Sequence, residues 1–383
     1  MLNDPLLSDD DQLFVQSLHA FASRRLRPHY QTHDREQRIQ PEVLRALADQ
    51  GILGLRAPEH LGGQGANAVT VGLAAEQLGY ADFSLGYLLN NCSLITDVLV
   101  RNCTPEQQER WVPPIARGEV IPAICLTEPG FGSDAAGIEF RANPDGDGWR
   151  LSGEKTSVTF GMQAPTAIVF ARTSGPGARG ISAFYVDLDD PAVSRSEFID
   201  LGGKAIGRAS LHFDHLHVPG TSLIGTPGTG FTQVMQGFEF ARAIIALVCI
   251  GAAMASVDEA LEHAKLRTTF GKPLGTYQGV SFPLVEHVTH LTAARLLALR
   301  ALALKDRGMP HAMESNMVKA WAPRLAVEAA HDALLTFGHS AYSDEYPLGQ
   351  RIRDIIGLEI GDGTAQITKL VVARELLGRE AAP

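Results

Sequence analysis

The chain has 383 residues, 45% of them hydrophobic, enough to bury a large core in more than one layer and too apolar for a disordered chain. A formal net charge of -10 and a pI near 5.7 leave no basic surface to hold a phosphate backbone, which argues against nucleic acid as a partner. Cys92, Cys103, Cys125 and Cys249 form no C-x-x-C pair and have no His at metal-ligand spacing, so reduced thiols, a cytoplasmic setting and no metal site are expected.

The N-terminal stretch MLNDPLLSDDDQ has no basic region followed by an apolar one, so no secretion signal is expected. Helical texture runs to about Gly118. In PEVLRALADQG, Pro41 stands at a first helical position, Val43, Leu44 and Leu47 share a stripe, and Gly51 stops the helix. TPEQQERWVPPIARG repeats the grammar: Thr104 caps, Pro105 opens the helix and Gln107 completes a capping-box spacing. An N-terminal helical domain over 1–119 is predicted.

From about Val120, β-branched and aromatic residues come in short runs between turn residues. PDGDG (Pro144 to Gly148) is a tight turn into the strand WRLSGEKTSVTF. TAIVFART (Thr166 to Thr173), ISAFYVDL (Ile181 to Leu188) and LHFDHLHV (Leu211 to Val218) are further strands of a middle β-domain over 120–229. Beyond Gly230, apolar stripes run through Phe231 to about Leu266, Gln278 to Asp306, Met313 to Phe337 and Thr364 to Glu380. With short joints between them, these segments predict a C-terminal four-helix bundle over 230–383. The longest apolar run, Ala243 to Ala255, is shorter than the roughly 18 residues of a membrane span and reads as a core helix. The fold class is mainly α with a β-domain.

Four stretches can carry chemistry. In CLTEPGFGSD (Cys125 to Asp134), Gly130 and Gly132 let backbone approach a ligand, while Thr127, Ser133 and main-chain N–H groups can bond carbonyl or phosphate oxygens. A plain strand-to-turn junction has the same spacing. The stretch is neither a Walker loop nor G-x-G-x-x-G, so nicotinamide binding gains no support. In GEKTSVTFG (Gly153 to Gly161), Ser157 and Thr159 can line one side of a flat ring, or belong to an ordinary half-exposed strand. RTTFGKPLGTYQ (Arg267 to Gln278) marks a break between bundle helices, where a basic residue at a helix end is routine. In IGDGTAQI (Ile360 to Ile367), Asp362 between glycines is either a turn before Thr364 capping a helix, or a base kept ionised by the helix dipole and open to a substrate carbon.

Together these stretches, with RASLHFDHLHVP and RIRD (Arg351 to Asp354), resemble the acyl-CoA dehydrogenase superfamily over essentially the whole chain and in that family's order. The resemblance implies an N-terminal helical domain, a middle β-barrel-like domain and a C-terminal four-helix bundle, assembled as a homotetramer with FAD at the domain junction and across a subunit interface. Carried over residue by residue, it implies flavin contacts at Thr127, Gly132, Ser133, Ser157 and Thr159, with Ser133 also near the substrate's pantetheine or pyrophosphate arm. Arg267, Phe270 and Gln278 would hold the FAD of a neighbouring subunit. Gly363, Thr364 and Gln366 would form the helix start that receives FAD phosphate. Glu239 and Arg242 of GFEFAR would contact the pantetheine arm and brace the site.

The family's base is usually a Glu in this same loop; here Asp362 holds that place, and the alternative position before the bundle arginine is Ala241. Asp362 is therefore expected to take the proton α to a thioester carbonyl while the β-hydrogen leaves as hydride to flavin N5. The electrons would pass to an electron-transferring flavoprotein. Three departures matter. Ser157 replaces a Trp, Leu335 to Tyr342 (LTFGHSAY) replaces a Gln- and Gly-rich FAD contact, and Asp is one methylene shorter than Glu. The first and third, with VMQGFEFARA and FGKPLGTYQGVSFPL, resemble most closely the cyclohexane-1-carboxyl-CoA dehydrogenases, implying a cyclic or branched acyl-CoA. Rival expectations are a short-chain linear acyl-CoA or a carrier-protein-bound acyl group. Outside that class stand a flavin oxidase of a small carbon acid, similar to nitroalkane oxidase, and a flavin-free binding paralogue.

Overall fold

The computed structural model describes residues 6–378 and 380–382. Met1–Pro5, within the stretch read for a secretion signal, and Arg379, inside the expected last helix, lie outside the described residues. Six helices come first: α1 (Asp9–Arg25), α2 (Tyr30–Glu36), α3 (Pro41–Asp49), α4 (Ala68–Ala81), α5 (Phe83–Asn102) and α6 (Pro105–Ala116). The capping box forms at α6, where Thr104 and Gln107 satisfy each other's backbone N–H. Asp82 caps α5 by accepting from Ser84 N at 2.8 Å and binds His33 Nδ1 at 2.6 Å, a buried pair that fixes where α5 begins.

The middle segment is a mixed sheet of β1 (Ala123–Cys125), β2 (Arg141–Asp145), β3 (Gly148–Val158), β4 (Thr166–Arg172), β5 (Ile181–Asp187), β6 (Val193–Glu197), β7 (Ala209–Pro219) and β8 (Leu223–Ile224). The order is β6-β7-β3-β2-β4-β5-β8, with β1 parallel to β4 through Ala123 opposite Ala167. The strand expected to run to Phe160 stops at Val158. The β3–β7 register slips between Lys155 and Val158, and Ser157 and Phe160 take left-handed φ of 56° and 59°, so the chain turns there instead of pairing on.

Five helices follow: α7 (Gly230–Leu266), α8 (Gln278–Asp306), α9 (Ala312–Phe337), α10 (Leu348–Ile360) and α11 (Ala365–Leu377), with a two-stranded arm, β9 (Thr268–Thr269) and β10 (Lys272–Pro273), between α7 and α8. The bundle differs from four long segments. Only α7, α8 and α9 are long, and α10 had no apolar stripe to announce it. Its buried face mixes Leu348, Ile355 and Leu358 with Arg351 and Asp354, and those two are bound by Glu259 and Tyr30. The last helix ends at Leu377 because Gly378 turns to φ 80°.

Helices α5 and α7 are apolar and long enough to cross a membrane by composition, but 89% and 100% of those stretches are buried within the fold. Glycines bring α4 and α7 unusually close: a Cβ on Gly251 would meet Glu76 O at 2.1 Å, and one on Gly79 would meet Val248 O at 2.5 Å. Polar ties join the segments. Asp354 accepts from Tyr30 Oη at 2.6 Å and from Gly203 N at 2.7 Å, binding α10 to the N-terminal helices and to the β-domain at one carboxyl. Asp97 on α5 takes Arg56 Nε at 3.1 Å and Lys305 Nζ at 3.1 Å. Substituting Gly251→Ala should force α4 and α7 apart and cost about 1–3 kcal/mol, as overpacking does. Thermal unfolding of the variant checks this, and an unchanged midpoint would contradict the close approach.

Candidate active site

The CLTEPGFGSD loop is tied to β3 by a buried lysine. Lys155 Nζ donates to Leu126 O at 2.9 Å and to Glu128 Oε1 at 2.7 Å, and the Glu128 carboxylate accepts from the backbone N–H groups of Phe140 (3.0 Å) and Glu139 (2.7 Å). Burial pulls Lys155 down to about 8 against the pull of Glu128. Thr156 N donates to Thr127 O at 2.9 Å, which sets Thr127 beside the end of β3. Beyond this anchor the loop opens. Gly130, Gly132 and Ser133 are exposed, Thr127, Ser157 and Thr159 are half-buried, and a Cβ on Gly130 or Gly132 would meet nothing within 4 Å.

Asp362 lies on the turn between α10 and α11, held from behind. Its φ is 55°, a left-handed conformation that a short polar side chain tolerates better than most. Arg242 Nε donates to Asp362 O at 3.1 Å while Nη1 donates to Asn316 Oδ1 at 3.1 Å. Lys319 Nζ donates to Leu358 O at 2.7 Å and to Gly363 O at 3.0 Å. Gly363 has φ 97°, and a Cβ there would come within 3.1 Å of Arg242 Nη2, so glycine fits on both counts. Burial lowers Lys319 to about 8, opposed by the Asp362 charge, and burial also lowers Arg242. Thr364 Oγ1 accepts from Ile367 N at 3.3 Å, so it caps α11, with Gln366 exposed on its first turn.

The Asp362 carboxylate faces forward, where Tyr87 Oη donates to Oδ2 at 2.9 Å. The Thr159 hydroxyl interacts with the same phenol oxygen. Tyr87 thereby brings Thr159 and Asp362 into one cluster, with Thr127 beside Thr156 at the end of β3, Arg242 behind the Asp362 loop and Glu239 half-buried one turn before Arg242 on α7. Burial raises the Glu239 carboxyl, opposed by Arg242. Sequence reading missed Tyr87, Lys155, Asn316 and Lys319. Tyr87 lies in an apolar helical run with nothing to separate it from a core aromatic, and the lysines show no pattern until the fold buries them.

Arg267, Phe270 and Gln278 are not brought to this cluster by contacts of the single chain. Arg267 and Phe270 stand exposed on the arm between α7 and α8, and Gln278 stands exposed at the start of α8; the arm is closed by Leu274 N donating to Arg267 O at 2.7 Å and Tyr277 Oη to Thr269 O at 3.0 Å. Phe270 is 92% exposed with φ 47°. LTFGHSAY ends α9 at Phe337, whose ring stacks on His263 at 4.3 Å, and leaves Tyr342 exposed.

An open glycine loop, flanking hydroxyls and a capped helix start suit a large, flat, anionic cofactor. Residues 8–119, 123–216 and 228–377 match the N-terminal, middle and C-terminal domain families of acyl-CoA dehydrogenase. The mitochondrial short-chain specific acyl-CoA dehydrogenase of Bos taurus is 35% identical over 97% of this chain and 91% of its own. Butyryl-CoA dehydrogenase from Megasphaera elsdenii superposes with a TM-score of 0.94 at 30% identity, covering 98% of this chain and 100% of that one. A structure described as the electron transferring flavoprotein of Acidaminococcus fermentans contains a chain with a TM-score of 0.94 at 31% identity and the same coverage.

The chain belongs to the acyl-CoA dehydrogenase family, whose members are FAD-dependent oxidoreductases acting on acyl-CoA. The open face of the CLTEPGFGSD loop, the end of β3 and the start of α11 offer hydroxyls, bare backbone and a helix start that could hold FAD. Arg242→Gln should leave FAD bound yet slow flavin reduction by at least about tenfold, equivalent to about 1.4 kcal/mol in the barrier, because the Asp362 loop loses a donor. Stopped-flow reduction checks this, and a wild-type rate would show the brace to be dispensable.

Proposed function

We propose that the protein desaturates short acyl-CoA thioesters between Cα and Cβ, with Asp362 as the base. The observation that carries this is the Asp362 carboxylate itself: it stands forward on a left-handed turn whose carbonyls are gripped by Arg242 and Lys319, against the Tyr87 phenol that the Thr159 hydroxyl also meets. Asp362 takes the α-proton, and its backbone N–H is a donor suited to the thioester oxygen as negative charge grows there. FAD, when bound, accepts the β-hydrogen as hydride. Thr127, Gly132, Ser133, Ser157 and Thr159 line the flavin side, and Glu239 faces the thioester's path.

A short acyl group is favoured over the alicyclic one because the Bos taurus and Megasphaera elsdenii relatives are described as a short-chain specific acyl-CoA dehydrogenase and a butyryl-CoA dehydrogenase. The shorter acid also has a local cause, since Asp suits a φ of 55° better than Glu does. Electron-transferring flavoprotein is the acceptor in this proposal. The protein is a homotetramer in which Arg267 and Phe270 of the exposed arm and Gln278 at the start of α8 reach a neighbour's cofactor.

Anaerobic titration of the yellow enzyme with acyl-CoAs of increasing length, isobutyryl-CoA and cyclohexane-carboxyl-CoA decides the substrate. Bleaching strongest with four-carbon chains is expected, and bleaching by the cyclic thioester alone would restore the alicyclic substrate. Asp362→Asn should retain FAD and lose bleaching by a factor of at least about 1000, the upper part of the range for removing a positioned base. Near-normal bleaching would remove Asp362 from the chemistry.

A further inference from the structure

One phenol oxygen touches all three domains. Tyr87 on α5 donates to Asp362 Oδ2 at 2.9 Å in the C-terminal bundle, while the Thr159 hydroxyl of the β-domain meets the same oxygen and the Arg208 charge acts on it. Arg208 is itself committed to Asp200, with Nε 3.0 Å from Oδ2, and lies over the Phe198 ring at 5.0 Å. The Tyr87 ring lies nearly parallel to Phe83 one turn earlier, with centroids 6.4 Å apart and 8° between planes. Burial first, then the Asp362 charge, holds the phenol well above its ordinary value, so at neutral pH it keeps its proton and donates.

We propose that Tyr87 is a positioning residue for the base: its O–H occupies one oxygen of the Asp362 carboxylate and turns the other, Oδ1, toward the substrate α-carbon. This rests on Asp362 as the base. Arg242 and Lys319 fix only the main chain of the turn, since both donate to carbonyls. The carboxylate still has its own side-chain torsions to lose, and among the described residues Tyr87 supplies a hydrogen bond that removes this freedom. The placement also couples the base to domain packing, because α5 must be seated against the bundle before Asp362 is oriented.

The charged and titratable groups around the pair are Glu239 and Arg242 from α7, Lys319 from α9, Glu359 from α10, and Arg208 with Asp200 from the β-domain.

The test compares FAD-loaded wild type and Tyr87→Phe. Infrared difference spectra against Asp362→Asn read the carboxylate stretching bands without any substrate, and stopped-flow reduction by butyryl-CoA reads the rate. In Tyr87→Phe the carboxylate bands should shift as the hydrogen bond is lost and reduction should slow about tenfold, while FAD content and melting temperature stay near wild type. Carboxylate bands identical to wild type would overturn the inference. Wild-type enzyme that fails to bleach with any short acyl-CoA would instead sink the substrate reading, and the infrared bands would still decide the role of Tyr87.

Discussion

The site depends on a grip on main-chain carbonyls. Arg242 and Lys319 reach from α7 and α9 to the turn between α10 and α11, donating to Asp362 O, Gly363 O and Leu358 O. A turn of three residues with glycines on both sides of the acid has little stiffness of its own. The two cations supply the stiffness while leaving the acid's side chain uncovered. Losing either donor would strand buried carbonyls, each worth about 1–3 kcal/mol when left unpaired, and would also release the turn that carries the base.

The same device recurs at the glycine loop. Lys155 donates to Leu126 O and to Glu128, and so fixes the root of the glycine loop while its tip stays open. Both lysines are pulled down to about 8 by burial. Each anchored loop belongs to a different domain. Tyr87 and Asp354 stand at points where the domains meet: the first touches Asp362 and Thr159, the second Tyr30 and Gly203. Catalytic geometry in this fold is therefore a property of domain seating as much as of the loops themselves.

Much of the architecture was legible because burial leaves a period in the sequence. The helix grammar of TPEQQERWVPPIARG appears as the observed capping box, and the apolar runs of α7, α8 and α9 appear as long helices. What escaped did so for physical reasons. Helix α10 buries Arg351 and Asp354 against charged and hydroxyl partners, so it has no clean stripe. The bend at Ser157 follows from a register slip that no local rule foretells. Asp362 and the glycine loop were visible as motifs, but the residues that hold them, Tyr87, Lys155, Asn316 and Lys319, come from distant segments and look like ordinary helix or strand positions. The short acid illustrates the limit in the other direction. Read as a clue to substrate shape, it has a nearer explanation in a left-handed backbone.

The central claim, that this turn presents a proton-abstracting carboxylate, can be tested apart from oxidation. An acyl-CoA with sulfur in place of Cβ has acidic α-hydrogens and no β-hydride to lose. Incubated in D2O with the oxidised FAD enzyme, it should exchange its α-hydrogens with wild type, much more slowly with Arg242→Gln, and at the uncatalysed rate with Asp362→Asn. Exchange by Asp362→Asn at the wild-type rate would contradict the account.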